Sequence, residues 1–427
     1  MVFLMSPDAV NRLKDLVLAL AKRAALAFFA VQGIVIATLV AIDTITRKRR
    51  VKRARFPRPG TFHSNVARAS MRLYTFGEDL YRDMLDEIDS AEHTVLLETY
   101  IWKNDEVGHK FLTAINAAAA RGVDVYVIYD GFANLVVPRS FYDFHPAVHV
   151  LRFPVFRASI LFTNVRGTGL DHRKVLVVDD RVGFVGGYNI GSLYATQWRD
   201  THLKINGPSV WDLRQAFASM WNSNRKSLFG KPKREELPET SAGFWEPRIR
   251  AVNNIPSNLV FPTRGVYLDA INRASHHIFI TTAYFIPDQQ ILDALLAAAK
   301  RGVDVRVLIP EASNHVLSDW LSRGFYSALL RADVTLLLYQ NAMIHAKTAT
   351  VDGEWSIVGT ANLDRLSLTG NYEIGLEIYD TDLAGDLEHI FEIDSSNSRV
   401  LTLEEWESRH VAARFSEAVL APLRPLL

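Results

Sequence analysis

The sequence predicts an α/β protein made of two similar halves, with one membrane helix in front of them. Two stretches, 84–131 and 267–311, repeat the same order of helix, apolar strand, Ala-rich helix and second strand. Each stretch is followed by a matching motif that starts at a histidine, His172 in the first and His345 in the second. Repetition at this scale indicates a duplicated structural unit, and strands that alternate with helices are typical of α/β proteins.

The membrane helix is predicted from residues 24–42, AALAFFAVQGIVIATLVAI, which contain no charged residue. A helix of this length rises roughly 28 Å, enough to cross the hydrocarbon core of a bilayer. A buried core helix is the alternative, but the run has no polar face and basic residues flank both of its ends. A secretory signal peptide usually has a shorter apolar region. Residues 9–23 leave a second, partial membrane element open.

A basic segment, RKRRVKRARFPR at 47–58, follows the apolar run and carries eight basic residues and no acid. Without it the net charge of the chain would fall from +1 to −7, so the remainder is mildly acidic and unlike a nucleic-acid binder. Basic residues beside a membrane helix favour the cytoplasmic side. The sequence therefore predicts a single-pass protein of the cell membrane whose main body lies in the cytoplasm.

Composition narrows the class of protein further. With 427 residues, 48% hydrophobic and 22% charged, the chain can form two or three domains or one large duplicated one, and it is too apolar to be disordered. It has no cysteine, which excludes disulfides, thiolate catalysis and Cys-ligated metal centres.

The polar residues 222–247, rich in Lys, Glu and Pro, predict a linker between the halves. The predicted parts are, in order, the anchor with its basic segment at 1–58, a first half at 59–221, the linker at 222–247, a second half at 248–400 and a helical tail at 401–427.

Within each half, the repeated stretch predicts its own elements. An apolar strand ends in an aromatic pair, Tyr100 and Trp102 in the first half and Tyr284 and Phe285 in the second. An Ala-rich helix follows and stops at the Arg-Gly of an RGVDV segment. Alternating valines then indicate a second strand.

The second motif places the same residue types at the same spacing in both halves. A histidine is followed by a lysine two positions later, then by an aspartate, an asparagine and, 28 residues after the histidine, a carboxylate. The matched pairs are His172 and His345, Lys174 and Lys347, Asp179 and Asp352, Asn189 and Asn362, and Asp200 and Glu373.

Local geometry brings three of these groups together. His172 and Lys174 are two residues apart in an extended segment, so they point to the same side. Asp179-Asp180 is a turn signal, and a hairpin folded there returns Asn189 to a position beside His172. The second half repeats this construction. Each half therefore gathers an imidazole, an ammonium and an amide at one end of a sheet.

These three groups suit an anionic phosphoryl group. The ammonium supplies charge, the amide donates hydrogen bonds, and the imidazole can attack phosphorus or move a proton. The later carboxylate can accept from the second imidazole nitrogen and fix its tautomer. Two facing halves would supply both a nucleophile and an acid for the leaving group. A metal site is the chemical alternative, but a lysine so close to each histidine would repel a cation.

This duplicated arrangement resembles the phospholipase D superfamily and, within it, the bacterial cardiolipin synthases. The resemblance is carried by ETYIW at 98–102, the segments 171–191 and 198–210, AYFIPD at 283–288, IHAKTATVDG at 344–353 and the segment 359–373. It implies a duplicated phospholipase D-like fold, two mixed-sheet α/β halves packed as a pseudo-twofold pair. It also implies a reaction that needs no metal and no organic cofactor.

The resemblance further implies a role for each matched residue. One histidine becomes phosphohistidine and the other acts as acid and base, and we assign these roles to His172 and His345. The predicted catalytic residues are His172, His345, Lys174, Lys347, Asp200 and Glu373. The predicted substrate-binding residues are Asn189, Asn362, Gly187 and Thr360. The predicted structural supports are Asp179 and Asp352.

Segments outside the repeated motifs must indicate which reaction of this superfamily the chain catalyses. The membrane helix and the basic segment favour a lipid, since each basic residue near an anionic surface contributes about 1 kcal/mol. Residues 151–162, LRFPVFRASILF, suit an interfacial loop and equally a core segment. The sequence thus predicts a membrane phosphatidyltransferase of the cardiolipin synthase type that acts on phospholipids such as phosphatidylglycerol, with no nucleic-acid partner. A phospholipase D that makes phosphatidic acid, a membrane-tethered nuclease and a non-catalytic scaffold are the alternatives, and the oligomeric state is left open.

Overall fold

The computed structural model describes residues 55–154, 169–225, 235–238, 240–241, 243 and 245–409, together with isolated residues between 14 and 38. The predicted membrane helix at 24–42 lies outside the described residues, apart from Thr38. Within the described part of the chain, no helix is long and apolar enough to span a bilayer. Residues 155–162 of the predicted interfacial loop, parts of the linker and the tail beyond Arg409 also lie outside. The anchor and its orientation therefore stay predictions.

The first half is a mixed eight-stranded sheet with helices packed on it. Its elements are β1 (Thr61–Val66), β2 (Ala69–Tyr74), α1 (Gly77–Asp89), β3 (Thr94–Thr99), α2 (Glu106–Ala120), β4 (Asp124–Asp130), β5 (His149–Phe153), β6 (Val175–Val178), β7 (Val182–Gly186), α3 (Ser192–Thr196), β8 (Trp198–Arg199), β9 (His202–Asn206) and α4 (Val210–Asn224). The sheet order is β1-β2-β9-β7-β6-β3-β4-β5. β3, β4 and β5 pair in parallel, and the other neighbours pair antiparallel.

The second half repeats this sheet. Its elements are β10 (Ile249–Asn254), α5 (Pro262–Arg273), β11 (His277–Thr281), β12 (Phe285–Ile286), α6 (Gln289–Lys300), β13 (Asp304–Pro310), α7 (Val316–Arg331), β14 (Thr335–Tyr339), β15 (Met343–Ile344), β16 (Thr348–Val351), β17 (Trp355–Gly359), β18 (Leu363–Asp364), α8 (Arg365–Thr369), β19 (Glu373–Tyr379), α9 (Thr381–Ser396), β20 (Ser398–Leu401) and α10 (Leu403–Glu407). Two 3₁₀ turns, Arg139–Phe141 and Pro256–Asn258, lie in loops. The sheet order is β10-β19-β17-β16-β11-β13-β14-β20, so the prediction of two mixed-sheet α/β halves is confirmed.

The repeated Arg-Gly ends the same helix in both halves. α2 is capped by Asp105, which accepts from the N–H of Gly108, and α6 is capped by Asp288 in the same way. At the other end, Gly122 and Gly302 have φ angles of +93° and +90°. Glycine adopts this left-handed conformation without strain. The chain can therefore leave each helix sharply and enter β4 or β13.

The two halves pack through a shared apolar core. Buried residues of β6, β7, β9 and α4 meet buried residues of β17, β19 and α9, among them Val177, Phe217, Val358 and Leu376. Each fully buried side chain of this kind contributes roughly 1.5–3 kcal/mol. Two short parallel pairings, β8 with β15 and Asp171 with Tyr372, join the halves directly. The core and these pairings bring matching ends of the two sheets to one place.

The folded body begins earlier in the chain than residue 59. The Arg58 guanidinium lies 3.6 Å from the centre of the Phe76 ring, a favourable cation–aromatic contact. Phe56 packs against a buried cluster that includes Tyr339. The end of the basic segment is thus part of the body.

Candidate active site

The end at which the halves are joined also holds the predicted catalytic residues. His172 lies shortly before β6 and His345 shortly before β16, and the backbone N–H of each donates to the other half. His172 donates to the carbonyl of Tyr372 at 3.1 Å, and His345 to that of Arg199 at 2.7 Å. Tyr372 and Arg199 each precede a predicted orienting carboxylate. Each histidine is therefore held beside the carboxylate of the opposite half.

The side chain of each histidine also bonds to a carboxylate of the opposite half. Nδ1 of His172 lies 2.9 Å from Oε2 of Glu373, and Nδ1 of His345 lies 2.6 Å from Oδ2 of Asp200. All four residues are buried, with at most 9% of each exposed. These contacts leave Nε2 of each ring available to a ligand. The repeat predicted the carboxylates from their spacing, but it did not predict that the halves exchange them.

Both carboxylates are fixed by further contacts. Oδ1 of Asp200 accepts from the backbone N–H of Thr201 at 2.8 Å, and the neighbouring Arg199 donates from Nε and Nη2 to the carboxylate of Asp394 in α9, at 2.9 and 2.7 Å. A two-point pair of this kind restricts orientation as well as distance. Glu373 instead accepts from the hydroxyl of Thr360 at 2.5 Å. The histidine partners thus have defined positions without a ligand.

The two lysines lie close to the backbone of the histidines. Nζ of Lys174 donates to the carbonyl of His172 at 2.6 Å, and Nζ of Lys347 donates to the carbonyl of His345. Burial lowers the pKa of Lys174 to about 7 and that of Lys347 to about 8, although nearby carboxylates oppose the shift. An entering anion would favour the charged form of both lysines, because opposite charges attract strongly where water is scarce. The pair is suited to bind phosphate oxygens.

Burial disfavours the charged form of both histidines and of their carboxylate partners. Burial and the two lysines lower the pKa of His172 and of His345 well below the ordinary value. Burial raises the pKa of Glu373 to about 8 and that of Asp200 to about 6. Both imidazoles are therefore neutral near neutral pH, and each carries one ring proton. When that proton is on Nδ1, Nε2 carries a free lone pair and can act as a nucleophile or as a base.

The two predicted asparagines are buried beside the histidines and line the same cavity. Oδ1 of Asn189 accepts from the N–H of Ile101 at 3.1 Å. Oδ1 of Asn362 is buried and has no hydrogen-bond partner among the described residues. Because an unpaired buried amide is costly, this position favours a polar ligand.

Gly187 and Thr360, at matching positions of the two halves, lie against the carboxylates. A Cβ at position 187 would lie 2.0 Å from Oδ1 of Asp200, so glycine is required for the close approach. The backbone N–H groups of Gly187 and Thr360 donate to the carbonyls of Thr201 and Ile374, at 3.0 and 2.9 Å. The structure thus places both residues in support of the carboxylates, and their contact with substrate stays a prediction.

Asp179 and Asp352 lie at the hairpin turns. The carboxylate of Asp179 accepts from the backbone N–H groups of residues 92–94, and that of Asp352 from those of residues 275–277. Burial alone would raise the pKa of these carboxyls, but the backbone hydrogen bonds outweigh it and hold the pKa of both below the ordinary value. Each aspartate ties its turn to the start of β3 or β11.

We expect Asp352→Ala to lower stability without impairing the chemistry. The loss of an acceptor for three N–H groups should reduce the free energy of unfolding, measured with urea, by about 1–3 kcal/mol. Because the folded-state pKa is lowered, the contribution of Asp352 is present above about pH 4 and is lost as the pH falls through the folded value. The difference between wild type and variant should shrink accordingly. Asp124→Ala, at an exposed position of β4, is the control. A stable Asp352→Ala protein with little turnover would contradict this role.

The histidines face a common cavity of about 240 Å³. The Tyr100 ring packs edge-on against His172, with 4.7 Å between ring centres, and Trp198 lies 5.0 Å from His345. Among the described residues, no group of three or more histidine, cysteine, aspartate or glutamate residues could hold a metal ion. Lining residues that the sequence reasoning missed include Tyr194, Asn314, His315, Ser318 and Asp364. The reasoning weighed residues that match between the halves, whereas a search for differences between them would have found His315.

The chain is similar in sequence to a known protein family and to several of its members. The family described as "Cardiolipin synthase, PLD-like domain" matches residues 84–221 and 267–395. The chain is 32% identical over 376 residues to a cardiolipin synthase of Clostridium perfringens, which covers 84% of this chain and 77% of that protein. It is also 32% identical over 363 residues to a cardiolipin synthase of Listeria monocytogenes, with 84% and 75% covered.

A solved structure agrees on the fold. Phosphatidylserine synthase of Haemophilus influenzae matches with a TM-score of 0.62 and 15% identity, over 83% of this chain and 93% of that one. At this identity the likeness concerns the fold alone. The family match covers both halves and both histidine motifs, and the sequence relatives span most of the chain. The resemblance inferred from the motifs is therefore confirmed, and the chain belongs to the phospholipase D superfamily and, within it, to the cardiolipin synthase family.

Proposed function

We propose that the chain is a membrane phosphatidyltransferase of the cardiolipin synthase type, which passes a phosphatidyl group through phosphohistidine to a lipid hydroxyl. The observation that carries the proposal is the pair of buried histidines at one cavity, each bonded through Nδ1 to a carboxylate of the opposite half. The relatives named above are cardiolipin synthases, which supports phospholipid substrates.

In the first step, Nε2 of His172 attacks the phosphorus of phosphatidylglycerol. The bond from phosphorus to the glycerol oxygen breaks, and that oxygen takes a proton from Nε2 of His345. His345 must enter this step doubly protonated and paired with the ionised Asp200, and the second step restores the proton that it gives up. Glu373 keeps Nδ1 of His172 as the protonated nitrogen, so the lone pair needed for attack is on Nε2.

In the second step, the hydroxyl of another phosphatidylglycerol gives its proton to Nε2 of His345. Its oxygen bonds to phosphorus, the P–N bond breaks, and the electron pair returns to His172. The product is cardiolipin. Lys174, Lys347, Asn189 and Asn362 would hold the non-bridging oxygens in both steps, because charge builds up there in the transition state.

Water could replace the lipid hydroxyl, which would yield phosphatidic acid, so product identification tests the proposal. Purified enzyme in detergent is given phosphatidylglycerol, and the products are identified by mass spectrometry. Cardiolipin with released glycerol is expected. Phosphatidic acid as the only product would make the enzyme a phospholipase D, and cleavage of DNA without lipid turnover would make it a nuclease.

Neutralising one or the other of the two exchanged carboxylates should reduce activity in different ways. Glu373→Gln weakens the nucleophile, so its rate should fall by about 10²–10⁴-fold with every substrate. Asp200→Asn weakens the acid, so a nitrophenyl phosphodiester, whose leaving group needs little protonation, should form the phosphohistidine with a much smaller loss. Initial nitrophenolate release and cardiolipin formation are measured for both variants. Glu404→Gln, at an exposed position, is the control. The opposite pattern would assign His345 as the nucleophile.

Membrane association is proposed from the apolar run and the basic segment. Removal of residues 1–54 retains Phe56 and Arg58, which pack on the body. We expect the truncated enzyme to leave the membrane fraction while its activity on detergent-dispersed lipid stays within about threefold, because an anchor raises local concentration without altering the site. Activity on bilayers should fall much further. If the truncated enzyme still sediments wholly with membranes, the body itself carries the binding surface.

A further inference from the structure

The two rims of the active-site cavity differ although their loops occupy matching positions. Aligning the RGVDV segments places Asn134 opposite Asn314, Leu135 opposite His315 and Pro138 opposite Ser318. Asn314, His315 and Ser318 line the cavity, whereas their first-half counterparts do not. The pseudo-twofold symmetry of the site is therefore broken at this rim.

In the loop of the first half, the asparagine side chain bonds to the protein backbone. Nδ2 of Asn134 donates to the carbonyls of Tyr100 and Asp130 at 2.8 and 2.7 Å, and Oδ1 accepts from the N–H of Trp102 at 2.9 Å. Asn134 is accordingly buried, and the neighbouring Leu135 is 56% exposed. At this rim, Asn134 stabilises the backbone and Leu135 presents an apolar side chain to solvent.

The loop of the second half presents polar groups instead. Asn314 is exposed, and its Oδ1 accepts from the hydroxyl of Tyr284 at 2.7 Å. The Tyr284 ring lies 5.4 Å from the ring of His315 and 6.3 Å from that of His345. Among the described residues, none forms a hydrogen bond with the His315 ring. Tyr284 thus contacts Asn314 and the rings of His315 and His345, so this rim lies on the His345 side of the cavity.

We infer that Asn314, His315 and Ser318 form the subsite for the acceptor alcohol, a headgroup that carries several hydroxyls, such as the glycerol of phosphatidylglycerol. An amide, an imidazole and a hydroxyl can each donate to or accept from an alcohol. The inference deepens the proposed function and rests on it.

The subsite also explains why His345 would serve as the acid and base. An alcohol bound at this rim lies on the His345 side, so its proton passes to Nε2 of His345 as its oxygen bonds to phosphorus. The bond between phosphorus and Nε2 of His172 breaks in the same step, and its electron pair stays on that nitrogen. The alcohol that leaves in the first step would occupy the same place in reverse.

The test measures which of two small alcohols receives the phosphatidyl group. Full-length enzyme in detergent is given phosphatidylglycerol as donor, with deuterated glycerol and propan-1-ol at equal concentration. Deuterated phosphatidylglycerol and phosphatidylpropanol are quantified by mass spectrometry. The variant is His315→Leu, which puts the first-half residue type at this position. Leu135→Ala, on the opposite rim, is the matched control.

We expect the unmodified enzyme and Leu135→Ala to prefer glycerol. His315→Leu should lower the glycerol-to-propanol ratio at least about fivefold, because a polar subsite discriminates by hydrogen bonds that an apolar side chain cannot make. An unchanged ratio, with or without a loss of total transfer, would overturn the subsite alone. Absence of phosphatidyl transfer by the unmodified enzyme would overturn the proposed function and the subsite with it.

Discussion

His345→Ala is expected to accumulate a phosphoryl adduct on His172 when it is given a nitrophenyl phosphodiester. The variant keeps the nucleophile, and nitrophenolate leaves without an acid, so the first step can proceed. Without a base to activate an acceptor, the adduct should persist long enough for detection by peptide mass spectrometry. Turnover of phosphatidylglycerol should fall by about 10²–10⁴-fold or more, since both of its steps need the missing proton transfer.

His172→Ala is the matched variant and should form no adduct with any substrate. Both histidines are buried and bonded to a carboxylate, so each variant loses one such pair. His345→Ala also loses the 2.9 Å contact between Nδ1 of His345 and Nζ of Lys347, so the stability of each protein is measured against wild type. An adduct on His345 in the His172→Ala protein would reverse the two roles. The absence of an adduct in both proteins, at a stability close to that of wild type, would remove the covalent mechanism.

Lys347→Met is expected to be inactive and yet at least as stable as the wild type in the absence of substrate. Loss of a positioned cation at the phosphate should reduce turnover by about 10²–10³-fold. Methionine fills similar space without the charge that burial disfavours. Urea unfolding and phosphatidylglycerol turnover measure the two effects. A marked loss of stability would show that Lys347 is primarily structural.

The pH dependence of stability reports on the charge of Lys347. The pKa of Lys347 is lowered to about 8 in the folded protein, whereas an unfolded lysine titrates near 10.4. Between these values the unfolded chain holds more protons, so this group makes the free energy of unfolding rise with pH. The rise should be smaller in Lys347→Met than in wild type. Lys300→Met, at an exposed position in α6, should match wild type in activity and in pH dependence.

Repetition made much of this site predictable from sequence. Two copies of one spacing identified His172, Lys174 and Asn189 together with their second-half partners, because chance rarely repeats a chemical set. The hairpin turn at Asp179 followed from turn chemistry. The repeated motif and the turn each depend on residues that are close together in the chain, so their spacing reveals them.

The unpredicted features depend on how the halves meet. Spacing placed Glu373 in the second half, but only packing of the two sheets brings it to His172. His315 was missed because it stands opposite Leu135, so a comparison for likeness discards it. The close approach of the Asp200 carboxylate to Gly187, which the absence of a side chain permits, was also not predicted. Contacts between distant segments leave little trace in a single sequence.

The exchange of carboxylates has a consequence for any chain that carries a single copy of this unit. Such a chain would contain a histidine and a carboxylate but would bring them together only by pairing with a second molecule of itself, since each histidine depends on the opposite half. Fusing two copies in one polypeptide turns that encounter between molecules into an event within one chain, with an effective concentration set by the linker. It also frees the two copies to diverge, so that one rim can present His315 while the other keeps Leu135. A symmetric pair of identical units would have to place the same residue on both sides of the phosphate.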